Sequence, residues 1–505
     1  MTLKEANIKS QDRPLYAVID LGSNSFYMMI ACVNQGVVQV VGIIKQKVRL
    51  ASGLNENNEL SLEAMERGWK CLAMFAERLQ DIEPGNVRIV GTATLRLAKN
   101  VDVFLRKAHE ILGHSVNVIS GEKEAETIYL GVAHTSFSEK NRLVIDIGGA
   151  STEMIVGTGF TPSLLTSLSL GCVTWLERYF ADGLLNESNF SQAIKAAEAQ
   201  IEPVREKYLA KGWDVALGAS GTVQAICEIL ATQSVEGVLT LERLEDIKQQ
   251  AIRCGAIDGL SIEGLVKERV LVFPSGLAIL IAIFRQLKVK EMTLAGGALR
   301  EGVLYGMLPE MQNTNIRQRT IDGLVCRFGI DKEQGEFVAS LAKSMVNDLN
   351  DKWQLARFDG IDVLDAAAKI HELGLIVEYR KNHRHGAYIL ENSSLPGFTQ
   401  EQHQILNCLI YNYRQAIDMS VVTKMAGSTA EVAERLTRIL RVAVILAMRR
   451  KHEAIPKIAM TCDDGVLRLN LPGDWLTLHP LMQEELNNEI KSQATVGWAF
   501  ELNIY

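Results

Sequence analysis

Two short stretches of this chain repeat one pattern, in which an apolar strand ends at an aspartate and a glycine follows two residues later. The first runs from Tyr16 to Phe26 (Y-A-V-I-D-L-G-S-N-S-F), and the second from Leu143 to Glu153 (L-V-I-D-I-G-G-A-S-T-E). Glycines at such positions let backbone N–H groups approach an anion closely, and hydroxyl side chains add further donors. One such turn is weak evidence, but a second copy predicts a duplicated α/β unit whose loops face one cleft.

Two further small-residue loops follow apolar strands, G-A-S-G-T at 218–222 and A-G-G-A-L-R-E-G at 295–302. Turns that close on a phosphoryl chain from both sides are similar to the arrangement in the actin, sugar-kinase and heat-shock ATPase superfamily. The pattern therefore predicts an α/β class, with two actin-like, sugar-kinase-like ATPase domains around a cleft. This likeness indicates a fold and does not decide a reaction.

The regular strand and glycine-loop units cease beyond about residue 310, and at 505 residues the chain is too long for one core. Helices rich in Leu, Ala and Arg dominate from there to about residue 470, and a short alternating segment follows. We therefore expect α/β domains at 1–135 and 136–310, a helical domain at 311–470 and a small terminal module at 471–505.

The composition is that of an ordinary soluble protein, with 47% apolar residues, 22% charged residues and a formal net charge of −7. No global field would draw nucleic acid or an anionic membrane to it. Eight scattered cysteines without a C-x-x-C pair indicate reduced thiols, and the polar first fifteen residues indicate no secretory signal. The most apolar helix, around Leu277 to Phe284, is too short to span a bilayer. We expect a cytoplasmic enzyme without nucleic-acid or membrane partners.

Glu124 is the candidate catalytic residue. It lies in S-G-E-K-E-A-E, just inside a predicted helix start on the phosphate side of the first sheet. A carboxylate near a terminal phosphoryl group can act as a general base or orient water for in-line attack. The alternative is that acidic residues favour the first helical turn for dipole and capping reasons, a role that Glu122 and Glu126 fit better.

The residues at the strand ends suit a divalent cation and a phosphate. Asp20, Asp146 and Glu153 are the candidate metal ligands, because Mg²⁺ takes oxygen ligands and keeps several waters. Each aspartate could instead be a turn former. Arg96, and less surely Arg49, can grip phosphate oxygens with a planar fork. The candidate phosphate-binding residues are Gly22, Ser23, Asn24, Ser25, Arg96, Gly148, Gly149, Ala150, Ser151, Thr152, Gly218, Ser220 and Gly221.

These motifs together resemble the exopolyphosphatase/guanosine pentaphosphate phosphohydrolase (Ppx/GppA) family. The matching stretches include D-L-G-S-N-S-F, T-A-T-L-R, I-S-G-E-K-E-A, V-I-D-I-G-G-A-S-T-E, G-A-S-G-T, F-P-S-G-L-A-I-L and G-G-A-L-R-E-G. They extend through the first 310 residues, and weaker matches such as L-P-G-F-T and G-D-W-L-T continue to the end. The resemblance implies that Glu124 is the catalytic base and that Asp146 and Glu153 contact metal and phosphate.

The resemblance also implies a homodimer and a C-terminal domain similar to the HD phosphohydrolases. Two departures from the family pattern matter. Lys123 stands where acidic residues are commoner, which alters the field at Glu124. The expected His-Asp pair appears as His371-Glu372, so we expect binding and dimerisation in that domain and no metal catalysis. Basic clusters there could line a path for a polyanion or could be solvated helix faces: Arg380-Lys381, His383-Arg384 and Arg449-Arg450-Lys451.

The implied substrate is guanosine 5′-triphosphate 3′-diphosphate (pppGpp), whose γ-phosphate would be removed to give ppGpp in the stringent response. F-P-S-G-L-A-I-L-I-A-I-F favours this branch of the family, while H-R-H-G-A-Y-I-L is more typical of exopolyphosphatases. Inorganic polyphosphate is therefore a second expected substrate, or the main one. Two alternatives of other classes remain, a nucleotide-gated regulator on the same fold and an acetate-kinase-like transferase.

Overall fold

The computed structural model describes residues 14–34, 37–136, 140–233, 238–311, 315–425, 427–451, 455–456 and 458–505. Residues 1–13, most of the polar N-terminal segment, lie outside these ranges. The chain divides into two compact units, Met1–Thr314 and Asn315–Tyr505. The finer division into four domains stays a prediction.

The first half of unit 1 is a five-stranded sheet with the order β3-β2-β1-β4-β5. Its strands β1, β2 and β3 are antiparallel, whereas β4 and β5 run parallel to β1. The strands are β1 (Leu15–Leu21), β2 (Ser25–Asn34), β3 (Val37–Lys47), β4 (Val87–Gly91) and β5 (Asn117–Val118). The helices are α1 (Leu62–Leu79), α2 (Ala93–Leu97), α3 (Val101–Leu112) and α4 (Gly121–Thr135).

The second half of unit 1 repeats this topology, with the strand order β8-β7-β6-β9-β10. Its first three strands are again antiparallel and its last two parallel to β6. The strands are β6 (Arg142–Ile147), β7 (Thr152–Thr158), β8 (Thr161–Leu168), β9 (Val215–Gly218) and β10 (Thr293–Leu294). The helices are α5 (Cys172–Tyr179), α6 (Glu187–Lys211), α7 (Gly221–Thr232), α8 (Leu241–Cys254), α9 (Phe273–Leu287) and α10 (Leu299–Gly306). The predicted duplication is confirmed, and β1 corresponds to β6.

Helices α4 and α10 pack so closely that two glycines are required where they touch. A Cβ on Gly131 of α4 would lie 2.0 Å from the carbonyl oxygen of Ala298, and one on Gly302 of α10 would lie 1.8 Å from that of Thr127. Helix α4 also shares a buried core with both sheets, through residues such as Ile128. This contact fixes the start of α4, which carries Glu124, relative to the start of α10.

The apolar helix α9 is longer than the sequence suggested. With the turn before it, the window Val270–Leu287 has 18 residues, a mean hydropathy of 2.0 and the length and composition to cross a membrane. However, 78% of this window is buried inside the protein, as in the core helix of a globular domain. The expectation that this segment is too short to span a bilayer was therefore wrong about its length, and its burial in the core of the second sheet accounts for its apolar composition.

Unit 2 is mainly helical, with one three-stranded sheet of order β11-β12-β13 near its end. Its helices are α11 (Ile316–Phe328), α12 (Lys332–Trp353), α13 (Gly360–Ile370), α14 (Asn382–Glu391), α15 (Gln400–Asn412), α16 (Met419–Thr423), α17 (Gly427–Leu446), α18 (Gly473–Leu478) and α19 (Pro480–Ala494). Its strands are β11 (Ala459–Asp463), β12 (Val466–Leu471) and β13 (Phe500–Ile504). The sheet shares one hydrophobic core with the helices, and the buried ion pair of Arg441 with Glu489 joins α17 to α19 at 2.7 Å.

Candidate active site

Asp20 and Asp146 occupy equivalent positions, each on the last residue but one of its strand, β1 or β6. In both cases a glycine opens the turn that follows. A Cβ on Gly22 would lie 2.9 Å from the carbonyl oxygen of Ser25, and one on Gly148 would lie 3.0 Å from that of Ser151. The two aspartates are thus presented by matching turns that only glycine fits without a shift.

The two turns meet. A Cβ on Gly149 would lie 2.8 Å from the Cβ of Ser23 and 3.4 Å from the backbone nitrogen of Asn24. The Ser23 hydroxyl is buried and accepts a hydrogen bond from Oγ1 of Thr94 at 2.7 Å. The sequence-based prediction that these loops face one cleft therefore agrees with the contacts between them.

Both aspartates are buried, and the charges of Arg300 and Glu301 shift the pKa of each. Burial raises the pKa of Asp20 to about 6, opposed by Arg300 and reinforced by Glu301. Burial likewise raises the pKa of Asp146 to about 6, opposed by Arg300, while the charge of Asp20 raises it further. Two buried carboxylates whose pKa values are raised, one of them by the charge of the other, form a natural site for a cation.

Glu124 lies in the first turn of α4, whose N-cap Ser120 accepts a hydrogen bond from the backbone N–H of Lys123 at 3.1 Å. Glu124 is only 7% exposed, and its Oε2 accepts a hydrogen bond from Nη1 of Arg96 at 3.0 Å. Burial raises the pKa of Glu124 to about 7, the hydrogen bond and charge of Arg96 lower it, and the charges of Asp20 and Asp146 raise it. A capping glutamate would face solvent, so its burial beside these charges favours the catalytic alternative.

Glu153 lies directly opposite Asp146 in the antiparallel β6–β7 ladder. It is 1% exposed, and Oε1 accepts a hydrogen bond from the Ser167 hydroxyl at 2.8 Å. Burial raises the pKa of Glu153 well above its usual value, the charges of Glu124 and Asp146 raise it further, and hydrogen bonds from Ser151 and Ser167 oppose the shift. Four carboxylates, Asp20, Glu124, Asp146 and Glu153, therefore form one electrostatic cluster.

The other predicted phosphate-binding residues of the two turns make contacts that hold the turns in place. The carbonyl oxygen of Asn24 accepts hydrogen bonds from the backbone of Val48 and Arg49, and Ser25 begins β2. The Thr152 hydroxyl donates to the carbonyl oxygen of Leu170, so this buried side chain anchors the turn. Ala150 is buried too, and its backbone lies against Gly171.

The third predicted loop lies beside the strand that carries Asp146. Gly218 ends β9 opposite Ile145, and the N–H of Ala219 donates to the carbonyl oxygen of Ile145 at 2.8 Å. Ser220 caps α7, and a Cβ on Gly221 would lie 1.7 Å from Nη2 of Arg269. The loop therefore belongs to the same sheet edge and brings a guanidinium to it.

Sequence reasoning missed Arg300 and Ser167. Arg300 is in the first turn of α10, with Nη1 4.0 Å from Oδ2 of Asp20 and its guanidinium carbon 3.8 Å from the centre of the Tyr27 ring. Arg300 lies in A-G-G-A-L-R-E-G at 295–302, one of the glycine-bearing loops that follow apolar strands, and this position could have identified it. Ser167 lies on β8 without a motif, so no local signal pointed to it.

The described residues hold no group of three or more His, Cys, Asp or Glu side chains arranged to bind a metal ion on their own. The carboxylates nevertheless fit a hard cation that keeps waters and substrate oxygens as further ligands. Oδ1 of Asp20 is buried without a hydrogen-bond partner among the described residues, while 17% of its side chain remains exposed. An unpaired buried carboxylate oxygen is costly unless a cation neutralises it.

The His371-Glu372 pair of unit 2 is engaged by protein groups. Nδ1 of His371 contacts the carbonyl oxygen of Ala368 at 2.7 Å, and Glu372 pairs with Arg450. Arg450 also pairs with Asp331 at 2.8 Å. This arginine of the predicted basic path therefore faces acidic partners within its own unit.

Two family models and relatives of nearly the full length match this chain. The model of the Ppx/GppA phosphatase family matches residues 29–311, and that of Ppx/GppA phosphatase, domain III, matches residues 316–490. A guanosine-5′-triphosphate,3′-diphosphate pyrophosphatase of Pseudoalteromonas translucida is 52% identical over 489 residues, covering 97% of this chain and 98% of the relative. A protein of the same name from Aeromonas hydrophila is 50% identical, covering 97% and 99%.

Solved structures share the fold at lower identity. A Ppx/GppA family member from Aquifex aeolicus has a TM-score of 0.51 and 23% identity, covering 60% of this chain and 99% of its own. An exopolyphosphatase from Cytophaga hutchinsonii has a TM-score of 0.54 and 22% identity, covering 59% and 98%. The duplicated α/β fold followed by a helical C-terminal region is as expected. The chain belongs to the Ppx/GppA phosphatase family.

Proposed function

We propose that this chain hydrolyses pppGpp to ppGpp and orthophosphate by removing the γ-phosphate. Relatives that are about half identical along nearly the whole chain carry the name guanosine-5′-triphosphate,3′-diphosphate pyrophosphatase, which supports this substrate. The observation that carries the proposal is the position of Glu124, buried, held by Arg96 and close enough to Asp20 and Asp146 to feel their charges.

Glu124 acts as the general base in this proposal. One of its carboxylate oxygens accepts a proton from a water molecule as the water oxygen bonds to the terminal phosphorus. The bond between that phosphorus and the bridging oxygen breaks, and the electron pair stays with the departing β-phosphate. General-base catalysis typically contributes about 10²–10⁴-fold.

In this proposal, the turns that follow Asp20 and Asp146 bind the phosphates. Backbone N–H groups at Gly22 and Gly149 and the hydroxyl of Ser23 supply donors, and Arg96 adds a cation. Gly148 and Ser151 shape the second turn, since the N–H of Gly148 donates to the carbonyl oxygen of Ser151. Asn24, Ser25, Ala150 and Thr152 hold these turns in shape, and the 218–221 loop borders the same cleft. The close contact between Gly149 and Ser23 supports one phosphoryl group bound between the two turns.

Mg²⁺ is the divalent cation we propose for Asp20, Asp146 and Glu153. Bound there, it would neutralise charge that develops on the phosphate oxygens. The unpaired Oδ1 of Asp20 and the cross-strand pair of Asp146 with Glu153 support this assignment. Arg300 faces the same aspartates and limits their repulsion in the metal-free protein.

Inorganic polyphosphate is the second substrate in this proposal, because it presents the same terminal phosphoanhydride to the same base. We also propose a cytoplasmic homodimer, in line with the family resemblance. Unit 2 then serves binding and dimerisation, since His371 and Glu372 already contact protein groups.

A phosphate-release assay with pppGpp and polyphosphate at matched concentrations tests the proposal, with Mg²⁺ and with EDTA. We expect metal-dependent release from pppGpp and slower release from polyphosphate. Faster release from polyphosphate would make exopolyphosphatase the main activity. Slow ATP hydrolysis without release from either substrate would instead indicate a nucleotide-gated regulator, and transfer to a carboxylate or sugar would indicate a transferase.

A further inference from the structure

Two lysines lie across the first sheet from Asp20, on the side away from Glu124. Asp20 stands directly opposite Tyr27 in the β1–β2 ladder, and Tyr27 stands directly opposite Lys45 in the β2–β3 ladder. Side chains that face each other across antiparallel strands share one face of the sheet. Because neighbouring strands are about 4.8 Å apart, the backbone of Lys45 lies roughly 10 Å from that of Asp20. Lys47 follows two residues later on β3 and shares this face.

The strand order β3-β2-β1-β4-β5 separates these lysines from the proposed base. Strand β1 carries Asp20, β4 leads to Arg96 on α2, and β5 leads to Glu124 on α4. The lysines are at the other edge of the sheet. In an in-line displacement the leaving group departs on the side opposite the attacking water. Because Glu124 is proposed to activate that water, the leaving nucleotide extends toward β3.

The end of β3 collects positive charge. The amine of Lys47 donates to the carbonyl oxygen of Glu268 at 3.0 Å, which brings the neighbouring Arg269 from the second half of unit 1 to this edge. Partial burial lowers the pKa of Lys45, and the charges of three further cations lower it more: Arg269, Arg300 and Lys47. The charge of Glu268 opposes them. Neither lysine forms an ion pair with a carboxylate within the described ranges, so both ammonium groups can meet an anion.

We propose that Lys45 and Lys47 bind the 3′-diphosphate of the leaving nucleotide and thereby select pppGpp over a nucleotide that carries the 5′-triphosphate alone. The inference rests on the proposed function. Arg300, stacked on Tyr27 between Asp20 and Lys45, faces the phosphates next to the cleaved bond. The lysines lie one strand further out, where a second diphosphate on the ribose meets them. Two ammonium groups without a carboxylate partner match its negative charge.

Hydrolysis of pppGpp and of GTP by the variants Lys45→Met and Lys47→Met tests the proposal. The two substrates share the 5′-triphosphate and differ in the 3′-diphosphate. Lys70→Met is the matched control, because Lys70 is an exposed lysine of the same half of unit 1, on α1. Equilibrium binding of ppGpp and of GDP, which differ in the same group, gives a second readout that needs no turnover.

We expect each variant of the β3 lysines to lower kcat/KM for pppGpp and to weaken ppGpp binding about tenfold or more, because each loses a charge-assisted hydrogen bond to the diphosphate. Hydrolysis of GTP and binding of GDP should stay within about twofold, as should every value for the control. An equal loss for pppGpp and GTP, or no loss for either, would overturn the proposal. If the protein releases no phosphate from pppGpp, the proposed function fails, and ppGpp binding that still depends on the lysines would leave the diphosphate site standing.

Discussion

Nη1 of Arg96 donates a hydrogen bond to Oε2 of Glu124 at 3.0 Å. The same nitrogen donates to the carbonyl oxygen of Ile119 at 2.8 Å, so the guanidinium is anchored to the end of β5. Because the carboxylate is buried and already oriented, it needs little rearrangement to accept a proton from water. This ion pair is therefore the part of the site that most directly links the fold to the proposed chemistry.

Glu124→Gln should lower the turnover of pppGpp by about 10²–10⁴-fold, because the amide keeps the shape but cannot accept the proton. Substrate binding should be largely retained. Single-turnover rates and equilibrium binding of pppGpp measure the two effects separately. Glu126→Gln is the control, since Glu126 lies on the same helix in an exposed pair with Lys123. Full turnover in the Glu124 variant would remove it from the mechanism.

Asp146→Asn should make the metal-free protein more stable above neutral pH. The pKa of Asp146 is about 6 in the folded protein against an ordinary value of 3.8, so the folded state binds the proton more tightly. Its contribution to the free energy of unfolding is greatest below about pH 4 and is lost as pH rises through about 6. A neutral side chain avoids this loss, which is at most about 3 kcal/mol.

Urea unfolding with EDTA at about pH 4 and about pH 8 measures this effect. The variant should gain stability relative to the unmodified protein mainly at the higher pH, while its activity is lost. Asp81→Asn is the control, because Asp81 is exposed in a turn. Equal stability of the Asp146 variant and the unmodified protein at the higher pH would mean that Asp146 carries no burial penalty.

Local sequence patterns predicted the main parts of the candidate site because each depends on short-range geometry. The aspartates and glycines of both turns follow directly from an apolar strand that ends in small residues. Glu124 could be located because Ser120 and the acidic residues after it mark a helix start. Its burial was not predictable, since that depends on how α4 packs against α10 and both sheets.

The residues that were missed reach the site through tertiary contacts. Arg300 approaches Asp20 only because α10 crosses α4 at Gly131 and Gly302, and Ser167 meets Glu153 through the β7–β8 register. Strand β3 runs unbroken through the polar residues near Lys45 because β2 pairs with it from Ser25 opposite Lys47 to Asn34 opposite Val37.

Arg300→Met should strengthen activation by Mg²⁺ and weaken the binding of substrate. The guanidinium lies 4.0 Å from Asp20 and lowers the pKa of both aspartates, so its removal deepens the negative potential there. At an effective dielectric constant near 20 such a charge is worth at most about 4 kcal/mol, and solvent reduces this, so we expect shifts of roughly tenfold.

Mg²⁺ activation curves and the KM for pppGpp measure the two effects of Arg300→Met. Half-maximal activation should require less metal, whereas KM should rise. Arg178→Met is the control, because Arg178 also lies over an aromatic ring, 5.9 Å from the centre of Trp175, but on the exposed face of α5. An unchanged metal requirement would mean that Arg300 does not act on the aspartates.

Gly149→Ala should reduce activity at least about tenfold while the protein stays folded. The added methyl group would lie 2.8 Å from the Cβ of Ser23, which is too close for two carbon atoms, so the turns must separate by several tenths of an ångström. Overpacking of this kind typically costs about 1–3 kcal/mol, and here it acts on the two turns that we propose to bind the phosphate. Catalytic groups misplaced by about 1 Å can cost about 10²-fold in rate.

The comparison of pppGpp turnover with thermal unfolding separates lost geometry from lost stability in this variant. Gly85→Ala is the control, because Gly85 has open space around the position of a Cβ. Normal turnover in Gly149→Ala would mean that the turns carrying Asp20 and Asp146 do not have to meet for hydrolysis. A variant that loses turnover and keeps its unfolding temperature would instead tie the reaction to the contact between Gly149 and Ser23, since the methyl group would lie at an ordinary contact distance of 3.4 Å from its next neighbours.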